Sequence, residues 1–259
     1  MTAMISSLIK SLLFLYIVQF SKSDVIPERI PIFVAYEAGS DDSRMFLRTE
    51  LVPVSEALKN MVEVTLIPFG RSTLDLKSHS VECFNGPSEC LAHVYTQCVN
   101  DIYPEYGSGN NMLFIDLITM LPESLMNSDE AYIKCAELAG FDSMLVQNCV
   151  QDESWAFQLQ RDAGRATPVY AYQFPWVEVG EELVDVVAGE SLWDAICDAA
   201  KSDDSDDNDD LLPFCFDEIL GKERKFKGIK ARDIDIKSNK NTISYLRTVS
   251  KHETKPMLE

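Results

Sequence analysis

I-P-I-F-V-A-Y-E-A-G-S-D-D-S-R-M-F-L-R-T-E-L-V-P-V-S-E-A-L-K-N-M-V-E-V-T-L-I-P-F-G, residues 30–70, is the stretch on which the fold turns. Ile32 to Tyr36 is a short apolar run rich in β-formers and reads as a buried strand. Ser40-Asp41-Asp42-Ser43 follows, and short acidic or hydroxyl side chains answer the bare N–H groups of a helix start. Leu47, Leu51, Val54 and Leu58 then recur at helical spacing and make one apolar face. Pro53 lies inside that helix and cannot donate to the carbonyl of Thr49, which predicts a kink. Val62 to Ile67 is a second strand, ended by Pro68.

Strand, loop, helix, strand is the opening of an α/β, thioredoxin-like sheet. In such folds a Cys-x-x-Cys sits at the helix N-terminus, where the dipole and free N–H groups lower the thiol pKa. Here the four-residue window holds Ser40, Asp41, Asp42 and Ser43, and both sulfurs are absent.

Working outward, the 259 residues carry a formal net charge of −19, which argues against a nucleic-acid partner. Residues 1–23 read as a secretory signal peptide, with Lys10 before a short apolar run and Ser21 and Ser23 at the cleavage site. No other run is long enough to span a bilayer, so a secreted or luminal chain without stable membrane insertion is expected. Residues 24–220 form the expected folded domain. Within it the segment from about 71 to 166 reads as an all-helical insertion, with helices near 88–101, 112–121, 129–139, 142–149 and 152–163. Strands return at Pro175–Val179 and Leu183–Val187, followed by a helix through Ala200. The run from Ser202 to Asp210 is acidic and self-repelling, and residues 221–259 are basic, polar and expected to be disordered.

Seven cysteines remain: Cys83, Cys90, Cys98, Cys135, Cys149, Cys197 and Cys215. In an oxidising compartment they read as a disulfide framework. Seven is odd, so one thiol is free or bonded to another chain, a disulfide-linked homodimer being the second case. The three clustered from Cys83 to Cys98 supply the natural odd member, and Cys215 is expected to dock back on Cys197. Cys83, Cys90 and His93 could instead hold a metal, but disulfides are the stronger expectation in a secreted chain, and no metal or cofactor is assigned. A hydrolase built on Ser40 or Ser43 would need a positioned base. The histidines are His79, His93 and His252, and no Gly-x-Ser-x-Gly is present.

The spacing Cys83-x6-Cys90-x7-Cys98, the Tyr36-Glu37 pair, and Cys135, Cys149, Pro175-Trp176-Val177 and Cys197 in that order resemble the gamma-interferon-inducible lysosomal thiol reductase (GILT) family. The resemblance covers about residues 30–215. It implies a thioredoxin-like sheet with a disulfide-bonded helical insertion and, in the family, reduction of protein disulfides in acidic compartments. It places the family's Cys-x-x-Cys on Ser40 and Ser43, and its cis-proline on Pro175. The family's Cys-Gln-His-Gly becomes Cys83-Phe84-Asn85-Gly86, and the sequence holds no N-glycosylation sequon. An arthropod salivary GILT-like member without the active cysteines is similar in these respects.

Disulfide exchange needs a thiolate that attacks and leaves again, and a serine hydroxyl does neither. The expected function is therefore binding, to a protein or cell-surface partner of a host or microbe, by a secreted chain without reductase chemistry. The alternative is a weak thiol oxidoreductase working through a free cysteine elsewhere.

Overall fold

The computed structural model describes residues 29–59, 61–104, 109–202 and Cys215. The expected signal peptide, the acidic run from residue 203 and the basic tail lie outside the described residues.

The first strand, β1 (Ile30–Tyr36), buries Ile32, Val34 and Tyr36 on one face of the sheet and turns Phe33 and Ala35 to the other, the period-two alternation of a pleated strand. Helix α1 (Asp41–Phe46) follows, then a π-helical turn at Leu47–Leu51, then α2 (Val52–Leu58), in one unbroken run. Leu47, Leu51, Val54 and Leu58 are all buried, as one apolar stripe requires. The kink expected at Pro53 takes the form of this π turn. The Val52 N–H reaches back five residues to the Leu47 carbonyl just before the proline.

Strand β2 (Val62–Pro68) pairs parallel with β1, Ile32 opposite Val64. Later in the chain β5 (Trp176–Val179) pairs antiparallel with β1, and β6 (Glu182–Val184) antiparallel with β5. The sheet order is β2-β1-β5-β6. A parallel β-α-β half joined edge to edge with an antiparallel β-β-α half is the thioredoxin-like arrangement, with the last helix, α8 (Leu192–Ser202), closing the second half. Glu50, on the π turn, accepts from the Leu192 N–H at 3.1 Å and so ties the start of α8 to the first half.

Between the halves lies the insertion. It is not all-helical: it opens with a two-stranded hairpin, β3 (Thr73–Asp75) and β4 (Ser80–Glu82), where the sequence suggested only a polar loop. The helices follow as α3 (Pro87–Ile102), α4 (Gly109–Thr119), α5 (Asp129–Leu138), α6 (Ser143–Gln151) and α7 (Glu153–Ala166). Helix α3 starts two residues earlier than a Ser88 cap would place it. Gly86, at φ 91°, is the cap residue and Pro87 occupies the first turn, where its missing N–H is of no consequence.

Helix α3 carries the insertion onto the sheet. Gln97 donates to the Pro68 carbonyl at 2.8 Å, and Tyr95 stacks on Tyr132 of α5 with ring centroids 4.8 Å apart. The main core is continuous from the sheet through α2, α3, α4, α5 and α8. Three disulfides staple it: Cys83–Cys90, Cys98–Cys149 between α3 and α6, and Cys197–Cys215 on α8. The odd cysteine is Cys135, buried on α5, and not a member of the Cys83–Cys98 cluster. Within that cluster Cys83 and Cys90 lie 5.5 Å apart at Cα and bond to each other, while Cys98 finds its partner 51 residues along the chain.

Candidate functional site

The site lies where β1 ends. Glu37 follows the strand directly and is fully buried. Burial alone would raise its carboxyl, but hydrogen bonds and charge from Arg71 outweigh that and hold it below the usual carboxylate range. The pairing is forked, with Arg71 Nε to Glu37 Oε1 and Nη2 to Oε2, each at 2.6 Å. The Arg71 backbone N–H donates to the same Oε1 at 3.0 Å, and Asn85 Nδ2 to Oε2 at 3.3 Å. Glu37 in turn holds the Arg71 guanidinium above its ordinary pKa. Arg71 is half exposed on its outer side, where Phe84 lies against the guanidinium 3.7 Å away. Gly70, at φ 58°, has no room for a side chain, because a Cβ there would collide with the Glu37 stem.

A second buried carboxylate faces the first across Asn85. Glu89 lies in the first turn of α3 and accepts from the Gly39 N–H at 2.8 Å, from Asn85 Nδ2 at 2.7 Å and from the Asn85 N–H at 3.1 Å. This variant of a capping box fastens the short Cys83–Cys90 loop to the segment after β1. His93, one turn further along α3, is also buried, and its Nε2 accepts from the Ala38 N–H at 3.1 Å. That leaves the ring proton on Nδ1, beside Cys83 Sγ at 3.8 Å. Burial pushes His93 down to about 3, so the ring is neutral at any ordinary pH. Consecutive backbone N–H groups, at Glu37, Ala38 and Gly39, are thus each held by a side chain.

Ser40 and Ser43 belong to this lattice. Ser40 caps α1, its Oγ accepting from the Ser43 N–H at 3.4 Å. Ser43 is fully buried, and its Oγ accepts from the Glu37 N–H at 3.3 Å. Asp41 and Asp42 point outward in the first turn, where the helix dipole favours them. Among the described residues no histidine is free to serve a serine nucleophile as base at this turn, because the His93 nitrogen that could take a proton already accepts from the backbone. His79 lies away on the β3–β4 turn, its ring tilted against Phe157 with centroids 5.0 Å apart.

Pro175 sits at the adjoining end of β5. Ala35 pairs with Trp176, so Pro175 precedes the strand beside the end of β1, and the Phe174–Pro175 peptide bond is cis. The loop before it exposes Val169, Tyr170 and Tyr172, and both tyrosines meet Trp176 edge-on at 5.4 and 6.0 Å. Cys135 is remote from all of this in kind as well as in sequence. Burial pushes its thiol up to about 12, and a bridge between two copies would have to start from one of the three intramolecular pairs. Arg71 and Glu89 were not singled out from the sequence, whereas Glu37 entered with Tyr36, and Asn85 within Cys83-Phe84-Asn85-Gly86, only through the family resemblance. A glutamate directly after an apolar strand, and another three residues past a helix cap, were the available signals.

Residues 31–152 match the family model described as gamma interferon inducible lysosomal thiol reductase. The chain is 26% identical over 150 residues to a gamma-interferon-inducible lysosomal thiol reductase-like protein of Anopheles gambiae, a span covering 54% of this chain and 61% of that one. It is 33% identical over 73 residues to GILT-like protein 1 of Drosophila melanogaster, covering 27% and 29%. The chain thus spans less than two thirds of either relative. Among solved structures, MdbA, a thiol-disulfide oxidoreductase from Actinomyces oris, aligns with a TM-score of 0.44 at 11% identity, covering 63% of this chain and 76% of MdbA. Proteus mirabilis ScsC in a compact conformation aligns with a TM-score of 0.40 at 11% identity, covering 85% and 98%. The family match ends before α7 and so leaves out Pro175 and the Cys197–Cys215 disulfide, but it takes in the serine window, the Cys83–Cys90 loop and both buried glutamates, and over those residues it supports a likeness to the GILT family.

Proposed function

We propose that this chain is a secreted GILT-family protein that has lost thiol reductase chemistry and acts by binding a protein or cell-surface partner. The observation that carries this reading is the use made of the serine window. Both hydroxyls there accept backbone hydrogen bonds that hold the turn, and neither can attack sulfur and leave again. The remaining thiol, Cys135, is buried with its pKa pushed up to about 12. At pH 7 only about one part in 10⁵ would be thiolate, which disfavours exchange through a cysteine elsewhere. Three disulfides support an oxidising compartment, and among the described residues no helix is long and apolar enough to cross a membrane.

Binding is supported by what the site exposes. Phe84 over Arg71, and Tyr170 and Tyr172 beside Trp176, are large rings held at the surface near the turn and Pro175. Aromatic side chains backed by a rigid frame are the usual anchors of protein recognition. The frame would hold an extended segment of the partner without forming a bond to it.

Insulin reduction, measured at acidic and neutral pH with a dithiol reductant, tests the loss of chemistry. The expected rate is that of reductant alone, and Ser40→Cys with Ser43→Cys should raise it. Turnover by the parent chain at the level of a cysteine-bearing family member would overturn the reading. Capture from the fluid into which the protein is secreted should return a specific partner from the parent and not from Tyr170→Ala with Tyr172→Ala.

A further inference from the structure

At the opposite end of the sheet the β5–β6 hairpin and α8 enclose an open groove of about 860 Å³. Its apolar lining includes Val179, Leu183, Val184 and Ala195. Its rim carries Glu181 and Glu182 on the hairpin, Glu190 before α8, and Asp194 and Asp198 along the helix, all exposed. Among the described residues no lysine or arginine lines it. Two of the five carboxylates are already engaged: Asp198 with Lys201 at 2.9 Å, and Glu190 with the Asp185 N–H at 2.7 Å. The groove is therefore a partly apolar trough under a field of one sign, beside β6, the outer strand of the sheet.

We propose that this groove holds the chain's own basic segment, residues 222–232. That segment reads Lys-Glu-Arg-Lys-Phe-Lys-Gly-Ile-Lys-Ala-Arg, six cations and one acid around Phe226 and Ile229, and so matches the groove in charge and in having apolar side chains to bury. The chain's connectivity brings it there. The Cys197–Cys215 disulfide anchors the polypeptide on α8, and Cys197 lies next to Asp198 and three residues from Asp194. Six residues separate Cys215 from Lys222, and fully extended they reach about 20 Å. The basic segment is thus tethered beside its groove, where a linker of six residues gives an effective concentration on the order of millimolar and lets weak ion pairs act together. The disulfide is then more than a staple, because it fixes the point from which the segment departs.

Carbodiimide cross-linking of the purified full chain, read by mass spectrometry, tests this. Lys222, Lys225, Lys227 or Lys230 should link to Glu181, Glu182 or Asp194 within one copy. Raising the salt to about 0.5 M should cut the yield at least about fivefold. The variant Glu181→Lys, Glu182→Lys, Asp194→Lys should lose those links. Adding Lys222→Glu, Lys225→Glu and Lys227→Glu should restore them in reversed polarity. The surface pair Lys134–Glu137, 2.7 Å apart, is the internal control for the reaction. Links that run instead to the acidic run 203–210, links between isotopically distinct copies, or a linked control pair with no link from the tail would each overturn the proposal. A basic partner displacing the segment would appear as loss of the tail links on its addition, and that outcome supports the groove as the place where the segment lies.

Discussion

The two ends of the β1–β5 strand pair are built on opposite plans. Where β1 runs out, Glu37 and Glu89 are buried, and each is matched by donors: Arg71 and Asn85 for the first, Gly39 and Asn85 for the second. Where β1 begins, Gly180 of the hairpin donates to the Pro31 carbonyl at 2.8 Å, and beyond it the carboxylates of Glu181, Glu182 and Asp194 stand in solvent around an open groove. Charge buried in low dielectric is stabilising only while its partners stay, so the first end is rigid and intolerant. Charge in water is screened and individually worth little, so the second end can change partners cheaply. On the function proposed above, the hydroxyls of Ser40 and Ser43 serve the buried lattice as hydrogen-bond acceptors, and Arg71 of that lattice carries Phe84 against its outer side.

The comparison breaks if the two ends respond alike to losing a charge. Arg71→Met strands the Glu37 carboxylate in the interior and should cost about 3 kcal/mol, taken at the low end of the range because half the guanidinium is already in water. Glu182→Ala, at the open end, should change stability by less than about 0.5 kcal/mol. Urea midpoints for the two variants decide between them, and a similar shift in both would show that burial does not distinguish the two ends.

Acid sharpens the contrast through the buried end, where His93 and Glu37 are both held below their ordinary values. His93 is depressed to about 3 in the folded chain and takes up protons near 6.5 when unfolded, so the unfolded state binds more protons between those values. Stability should therefore fall as pH drops through that window, by roughly 2 kcal/mol from pH 6.5 to 5. Glu37 acts in the same direction lower down. Its folded pKa is depressed, so its contribution is present above the ordinary carboxylate range and is lost as pH falls through the lowered value. Thermal midpoints across pH should show this slope in the parent. His93→Gln, which keeps an acceptor for Ala38, should flatten it between pH 6.5 and 5.

Why some of this was legible in the sequence and some not follows from where the determining contacts lie. The stripe Leu47, Leu51, Val54, Leu58 and the alternation of β1 are local patterns, and both elements are where the pattern puts them. The β3–β4 hairpin is not a pattern of that kind, because its strands have three residues each and no buried face. Pro53 announced a lost hydrogen bond but not the π turn that absorbs it. The serine window was readable as a helix cap, while the role of the Ser43 hydroxyl depends on Glu37, six residues earlier. The unpaired cysteine could not be found by spacing. Cys98 and Cys149 are adjacent only because α3 and α6 pack together, and that leaves Cys135 over. The buried glutamates were hidden for the same reason: Arg71 and Gly39 meet them through tertiary structure.

The smallest effect tests the serine window itself. Ser40 is half-exposed and caps α1 through a 3.4 Å contact, whereas Ser43 is fully buried and accepts from Glu37 at 3.3 Å. Ser40→Ala removes one N-cap acceptor, with water close by to replace it, and should cost about 0.5 kcal/mol. Ser43→Ala leaves the Glu37 N–H buried without a partner and should cost about 1 kcal/mol, the penalty of an unmet donor added to the lost bond. The ordering matters more than either size. If both serines were no more than solvent-facing hydroxyls, the two substitutions would be equal and near zero. A larger loss at Ser43 would mean that its hydroxyl is part of the frame, and that introducing a thiol there trades a backbone hydrogen bond for reactivity.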